Sequence, residues 1–169
     1  MADDVKELLE QDEDTLKDRF LTFALGSENY GIEIRYVTEI IGIQPISEVP
    51  ELPEYIKGII NLRGKIIPVM DVRLRFKKQF REYNDRTCII IVEVLNTCIG
   101  LIVDGVSEVI SIPESEIVEP PDLNRGGSRY IKGIGKAGSE VKLLLDCEKL
   151  LSEVEAAGLE NLEPQLQEQ

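Results

Sequence analysis

The sequence contains no histidine, and aromatic residues make up only 5% of its 169 residues. Histidine is the commonest general base, the usual partner of a serine nucleophile and the commonest zinc ligand, so its absence removes the most frequent catalytic and metal-binding arrangements. The glycines are scattered as turn residues, and no cluster precedes a helix to cradle a phosphate. We therefore expect no enzymatic activity, no metal site and no cofactor. An enzyme of an unrecognised kind would need a polar pocket of ligand size.

Long apolar runs and cysteine motifs are also missing. No apolar stretch approaches the ~18 residues that a membrane-spanning helix needs, and the acidic N-terminus has no signal-peptide pattern. Cys88, Cys98 and Cys147 lie in or beside apolar strand-like runs without CxxC spacing, which is typical of buried, reduced thiols. These features favour a cytoplasmic protein without direct membrane insertion.

Acidity is concentrated at the two ends of the chain. Residues 1–18 hold eight acids and two bases, and residues 152–169 hold five acids and no base, so of the net charge of −13 only −2 belongs to the segment between. Acidic ends keep a protein soluble, and they repel nucleic acid and anionic membranes. We therefore expect neither as the main ligand.

The chain does contain an internal repeat. Tyr55 to Ile59 reads Tyr-Ile-Lys-Gly-Ile, and the same five residues return as Tyr130 to Ile134, 75 positions later. Upstream, Gly31 to Ile41 aligns with Gly100 to Ile110 at an offset of 69. The repeat predicts one structural unit used twice. Because its strands are short and punctuated by glycine and proline, we expect two small antiparallel barrels, in which closure protects the strand edges.

A hairpin is predicted around Arg63 and Gly64, where glycine supplies the positive φ of a short connection. Strand alternation predicts that Val37, Glu39 and Ile41 share one face, and Arg63 could reach Glu39. An exposed ion pair usually stabilises a fold by under ~1 kcal/mol, so the pair is either a simple surface contact or a device that orients a docking surface.

Two pairs of carboxylates occupy equivalent positions in the repeats: Glu39 with Glu108, and Asp71 with Asp146. Duplication places the members of each pair in different barrels, so a catalytic or metal-binding carboxylate pair is not expected. Asp71 and Asp146 each close a strand and are predicted to cap the helix that follows.

Residues 63–86 form the only positive segment, with eight bases and three acids. Small barrels can bind nucleic acid, so a nucleic-acid-binding protein that uses this segment is the alternative function. However, Phe76, Phe80 and Tyr83 are placed as packing residues of a helix or linker, and the acidic ends would repel a polyanion. A solvated linker between the repeats is the preferred interpretation.

Four stretches closely resemble the CheW family of chemotaxis coupling proteins: Val37 to Ile40, Tyr55 to Gly64, Ile67 to Arg73 and Gly100 to Val109. The resemblance runs from about Phe20 to Leu151. It implies a non-enzymatic adaptor that joins the cytoplasmic tip of transmembrane chemoreceptors to the regulatory domain of the histidine kinase CheA. Such an adaptor would be cytoplasmic and recruited to membrane-associated chemoreceptor arrays.

The resemblance also implies an all-β fold of two five-stranded SH3-like barrels around a shared hydrophobic groove, with short helices at the repeat junction and the C-terminus. A CheW-like domain would span residues 20–151, with a first barrel at about 20–80, a second at about 87–151, and strands free to exchange between them. Residues 1–19 would form an acidic arm or helix, and residues 152–169 an acidic helix and tail.

The residues expected to bind partners come from the same resemblance. The kinase and receptor surface of the first barrel would comprise Val37, Glu39, Lys57, Gly58, Arg63 and Gly64. Leu123 would make a second kinase contact. The receptor groove between the barrels would comprise Ile34, Leu101, Val103 and Val106.

Overall fold

The computed structural model describes residues 16–120 and 130–156, and short strands are its main element. The strands are β1 (Arg19–Leu25), β2 (Glu28–Glu33), β3 (Val37–Gly42), β4 (Ile56–Leu62), β5 (Lys65–Asp71), β6 (Cys88–Val94), β7 (Thr97–Val103), β8 (Gly105–Ser111), β9 (Ile117–Val118), β10 (Ile131–Ala137) and β11 (Glu140–Leu145). Helix α1 (Val72–Arg75) follows β5, and helix α2 (Cys147–Ala156) follows β11. Residues 1–15 of the predicted arm, Leu123, and residues 157–169 of the predicted tail lie outside the described residues.

The strands form two sheets, with the orders β8-β1-β2-β11-β10-β9 and β3-β6-β7-β5-β4. This confirms the expected all-β fold of two units with short helices. The expectation of purely antiparallel strands is wrong, because β5 pairs with β7 and β2 with β11 in parallel. One sheet has six strands instead of five because Ile117 and Val118 pair with β10 over two residues. At the equivalent place in the other sheet, Ser47 makes a single bridge to Ile59.

The strand register repeats the internal duplication. β5 pairs in parallel with β7, with Val69 opposite Gly100, and β11 pairs in parallel with β2, with Leu144 opposite Gly31. Leu144 takes the place of Val69, 75 positions later, and Gly100 takes the place of Gly31, 69 positions later. These are the two offsets of the sequence repeat. The two copies of the repeat therefore make equivalent parallel strand pairs.

Each sheet contains strands from both copies of the repeat. The hairpin β1-β2 lies in the sheet that contains β8 to β11, and the hairpin β6-β7 lies in the sheet with β3 to β5. The parallel pairs β2-β11 and β5-β7 join each hairpin to the strands of the other half. Each sheet therefore combines strands from segment 20–80 with strands from segment 87–151.

Three apolar clusters fill the fold. One lies within the five-stranded sheet, around Val69 and Ile89, and a second lies within the six-stranded sheet, around Phe20 and Leu144. The largest cluster, here called the shared core, draws side chains from both sheets and from α2, including Leu151. Burial of a large aliphatic side chain contributes about 1.5–3 kcal/mol to the stability of the fold. Burial in the shared core is therefore the main contribution to the packing of the two sheets against each other.

The local predictions at the strand ends are confirmed. Arg63 and Gly64 connect β4 to β5, with φ values of 53° and 87°. Asp71 Oδ1 accepts a hydrogen bond of 3.2 Å from the amide of Leu74 in α1. Asp146 Oδ1 accepts from the first turn of α2, at 3.0 Å from the Glu148 amide. Both aspartates therefore satisfy amides that the helix leaves without a partner.

The prediction of three buried thiols is correct only for Cys147. Burial, followed by the nearby Asp146 carboxylate, raises the pKa of Cys147 to about 12. Cys88 and Cys98 are partly exposed, since Cys88 begins β6 and Cys98 is the second residue of β7. Side chains at the ends of strands lie next to turns, where the neighbouring strands no longer cover them.

Candidate partner-binding surface

Arg63 and Glu39 form an ion pair across the edges of the five-stranded sheet. β3, which contains Glu39, and β4, which ends directly before Arg63, are the two edge strands. The contact therefore requires the sheet to curl until its edges approach each other. Hydrogen bonding to Glu39 raises the pKa of the Arg63 guanidinium, which stays ionised. The ion pair confirms the prediction that Arg63 could reach Glu39. The side chain of Arg63 is 70% exposed and that of Glu39 is 30% exposed, so both charges are accessible at the surface.

The tip of the β4-β5 hairpin is held by Asn61, a residue to which the sequence analysis gave no role. The Asn61 Oδ1 accepts a 2.8 Å hydrogen bond from the Gly64 amide. Asparagine side chains commonly stabilise turns by accepting a hydrogen bond from the backbone a few residues later. The position of Asn61, three residues before Gly64, could therefore have predicted this hydrogen bond from the sequence. The turn thereby presents Arg63 in one orientation.

Lys57 and Gly58 lie on β4, where they contact other segments of the same protein. The Lys57 ammonium lies 5.1 Å from the centroid of the Phe80 ring. Gly58 has a φ of +144°, and a Cβ atom there would lie 2.1 Å from the Ser47 carbonyl oxygen. Only glycine fits this crossing of two backbones. Gly58 therefore has a structural role, whatever it contributes to binding.

Val37 does not share a face with Glu39, as strand alternation had predicted. The register between β3 and β6 shifts between Val37, opposite Val92, and Glu39, opposite Ile91. A bulge of this kind inserts one extra residue and reverses the alternation that follows. Val37 is consequently buried in the shared core, at 5% exposure, and Glu39 points to the other side of the strand.

The residues predicted to line a receptor groove lie in the shared core. Ile34 and Leu101 are fully buried and Val103 is 1% exposed, whereas Val106 is half-buried. The structure thus brings the first three together beneath the surface. Only Val106 is directly accessible to a partner.

Further apolar side chains that are half-buried pack against the shared core. They lie on the edge strands β3 and β8, on the 3₁₀ turn before β3 and at the start of β6, and all of them pack against the shared core. We call this surface the inter-sheet strip, and it consists of Tyr36, Ile40, Cys88, Val106 and Val109. Ile40 and Val109 were missed by the sequence analysis. For Ile40 the reason is the β3 bulge, which decides which residues of that strand face the shared core. Val109 lies on β8, whose pairing with β1 also contains a register shift.

The basic segment 63–86 is largely neutralised within the fold. Arg73 and Arg81 pair with Asp104, and Lys78 pairs with Glu28. With Arg63 bound to Glu39 and Arg75 buried between two aromatic rings, five of the eight bases are engaged. A nucleic-acid-binding surface needs exposed cations that are free to contact phosphates. The structure does not favour the nucleic-acid alternative.

A cleft of about 970 Å³ opens between the linker before β6 and the start of β8. We call it the linker cleft, and its polar lining includes Arg81, Asp85, Arg86 and Asp104. Asp104 Oδ2 lies 2.7 Å from Arg73 Nη1 and 3.1 Å from Arg81 Nη1. The two guanidinium groups hold the Asp104 carboxylate as a hydrogen-bond acceptor.

Within residues 16–120 and 130–156, no helix has the length and apolar character that crossing a bilayer requires. The same residues contain no cluster of three or more cysteine, aspartate or glutamate side chains placed to hold a metal ion.

Comparisons with known proteins agree over nearly the whole chain. The CheW-like domain family matches residues 19–155. Chemotaxis protein CheW of Klebsiella aerogenes is 37% identical over 150 residues, which cover 88% of this chain and 90% of that protein. Chemotaxis protein CheW of Treponema pallidum is 35% identical over 149 residues, covering 85% and 88%. The crystal structure of the scaffolding protein TtCheW from Thermoanaerobacter tengcongensis superposes with a TM-score of 0.73 at 41% identity, covering 76% of this chain and 88% of that chain.

Proposed function

This chain belongs to the CheW-like domain family, and we propose that it is a non-enzymatic chemotaxis adaptor that couples the cytoplasmic tip of transmembrane chemoreceptors to the histidine kinase CheA. The match extends over residues 19–155, and the relatives named above are chemotaxis and scaffolding proteins. The adaptor would work in the cytoplasm, at membrane-associated receptor arrays.

The observation that carries the proposal is the exposed Arg63–Glu39 ion pair. An exposed pair contributes about 0–1 kcal/mol to stability, so its value to the fold is small. Asn61 nevertheless holds the turn, and the curled sheet brings Glu39 beneath it. A positioned pair of charges on a rigid hairpin favours the orientation of a partner protein. We assign this hairpin surface to the regulatory domain of the kinase, with Lys57, Gly58 and Gly64 as its continuation and Val37 as buried support.

The inter-sheet strip is assigned to the receptor. An amphipathic helix binds by placing its apolar face on an apolar surface, with contacts spaced along one side of the helix. Half-buried side chains such as Ile40, Val106 and Val109 offer such a surface, while Ile34, Leu101 and Val103 support it from below. Leu123 remains the proposed second kinase contact.

The test is a titration of the purified protein against the regulatory domain of the kinase and against a receptor tip, separately and together. Arg63→Glu should weaken kinase binding roughly tenfold or more, because it places a like charge beside Glu39. The double variant Arg63→Glu with Glu39→Arg should restore part of the affinity. Lys136→Glu on the exposed face of β10 is the control, and all variants should retain the wild-type circular dichroism spectrum. Failure of the wild-type protein to bind either partner would remove the adaptor proposal.

A further inference from the structure

The linker cleft and the inter-sheet strip are parts of one surface. Val106 and Cys88 belong to both: each packs against the shared core on one side and lines the cleft on the other. A helix lying on the strip would therefore extend one of its ends into the cleft. The inference that follows rests on the proposed function, since it concerns what the cleft would recognise on the receptor.

Asp104 makes the floor of the cleft rigid. Its Oδ2 accepts three hydrogen bonds, at 2.7 Å from the Gly26 amide, 2.7 Å from Arg73 and 3.1 Å from Arg81. These donors come from the β1-β2 turn, from α1 and from the linker, so one carboxylate fixes three segments. Its negative charge is more than balanced by the two guanidinium groups.

Arg86 stands at the mouth of the cleft with a fixed backbone and an available charge. The Arg86 amide donates to Asn84 Oδ1 at 2.8 Å, and the Arg86 carbonyl accepts from the Cys88 thiol at 3.3 Å. Its side chain is exposed, and within residues 16–120 and 130–156 its guanidinium has no ion-pair partner.

The charged residues that line the cleft are two arginines, Arg81 and Arg86, and two aspartates, Asp85 and Asp104. Arg73 binds Asp104 from outside this lining, together with Arg81, so the Asp104 charge is compensated within the fold. Among the described residues, Arg86 is the lining cation whose charge no ion pair uses. A guanidinium binds a carboxylate through two parallel hydrogen bonds, a geometry that a lysine ammonium cannot match.

We propose that the linker cleft is the polar end of the receptor-docking surface, in which Arg86, assisted by the exposed part of Arg81, binds a carboxylate side chain of the receptor helix that covers the inter-sheet strip. The apolar strip would supply contact area. The cleft would determine which end of the helix lies over the linker, because only one end would carry the matching acid.

The experiment titrates the full-length protein with a purified receptor tip at low and at physiological salt. Arg86→Glu should weaken receptor binding roughly tenfold at low salt and less at higher salt, because a charge at the rim of an interface acts mainly through screened attraction. Arg86→Lys should lie between Arg86→Glu and the wild type. Lys136→Glu makes the same change of charge on β10 and should change the affinity less than twofold.

Two further measurements separate this proposal from the adaptor function. Val106→Asp should abolish receptor binding through the strip, and Arg86→Glu should leave binding of the kinase regulatory domain at the wild-type level. If Val106→Asp abolishes binding while Arg86→Glu behaves like Lys136→Glu, the carboxylate site is wrong and the adaptor function stands. If the wild-type protein does not bind the receptor tip, both proposals are overturned.

Discussion

Tyr55 and Tyr130 face the same cation from opposite repeats. The guanidinium carbon of Arg75 lies 4.8 Å from the centroid of the Tyr55 ring and 4.4 Å from that of Tyr130. The two tyrosines open the duplicated Tyr-Ile-Lys-Gly-Ile segments, and their carbonyls accept from the equivalent amides of Asp71 and Asp146, at 2.7 and 2.8 Å. One buried arginine thus joins the two copies of the structural unit.

Replacement of Arg75 should destabilise the whole protein. A cation over an aromatic ring contributes about 0.5–2 kcal/mol according to its burial, and the aliphatic part of the side chain adds packing. Arg75→Ala should therefore lower the free energy of unfolding by about 2–3 kcal/mol, and Arg75→Lys by less, since an ammonium does not stack on both rings. Chemical denaturation measures both values. Lys136→Ala, an exposed control, should stay within about 0.5 kcal/mol of wild type, and the same small change for Arg75→Ala would contradict the role given to this residue.

Gly58 should tolerate no side chain. Its φ of +144° and the predicted 2.1 Å approach of a Cβ to the Ser47 carbonyl mean that Gly58→Ala must move the backbone. We expect a loss of about 3 kcal/mol or more, because strain and the broken bridge from Ser47 to Ile59 add together.

Gly42→Ala is the matched control for Gly58→Ala. No atom lies within 4 Å of the position that a Cβ would take at Gly42. Thermal and chemical denaturation should therefore find Gly42→Ala close to the wild type. Equal stability of the two variants would show that the backbone crossing at Gly58 is less restrictive than the structure indicates.

Stability should fall at alkaline pH, in part through Tyr83. Burial, followed by the hydrogen bond that its hydroxyl donates to Asp71 Oδ2 at 2.7 Å, raises the pKa of Tyr83 far above its ordinary value. The unfolded chain would release this proton near pH 10, while the folded protein keeps it. Above that pH the unfolded state therefore binds fewer protons, so the free energy of unfolding decreases as pH rises.

Tyr83→Phe isolates this contribution. At neutral pH the variant should lose about 1 kcal/mol with its hydrogen bond. Between about pH 9 and 11 its stability should fall less steeply than that of the wild type. Part of the alkaline loss of stability should remain, because burial, followed by Glu28, also raises the pKa of Tyr30. Urea denaturation at a series of pH values measures the slope. Identical slopes in the two proteins would exclude Tyr83 as a source of the alkaline loss.

Local sequence signals predicted much of this structure because the groups involved are close along the chain. The turn at Arg63 and Gly64 and the two aspartate caps each depend on a few neighbouring residues. The contact of Arg63 with Glu39, 24 positions away, could be predicted because both belong to one copy of the repeat.

Sequence patterns predicted less where distant segments decide the environment. The bulge in β3 exists only in its pairing with β6, and it turns Val37 into the shared core. The sequence does not distinguish an apolar side chain in a groove from one in a core, and this applies to Ile34, Leu101 and Val103, which are buried. Only the packing of both sheets and α2 around them places them in the core.

The amino-acid sequence by itself determined that a β-unit is present twice, where its turns and caps lie, and which charges meet at the hairpin. These properties follow from backbone preferences and short-range hydrogen bonds that each copy carries within its own residues. The tertiary structure alone decided that the two copies exchange their first hairpins, that one arginine joins Tyr55 to Tyr130, and which apolar side chains remain accessible at the inter-sheet strip. The physical reason is that burial depends on which surfaces cover one another, and that is settled only when segments far apart in the chain pack together.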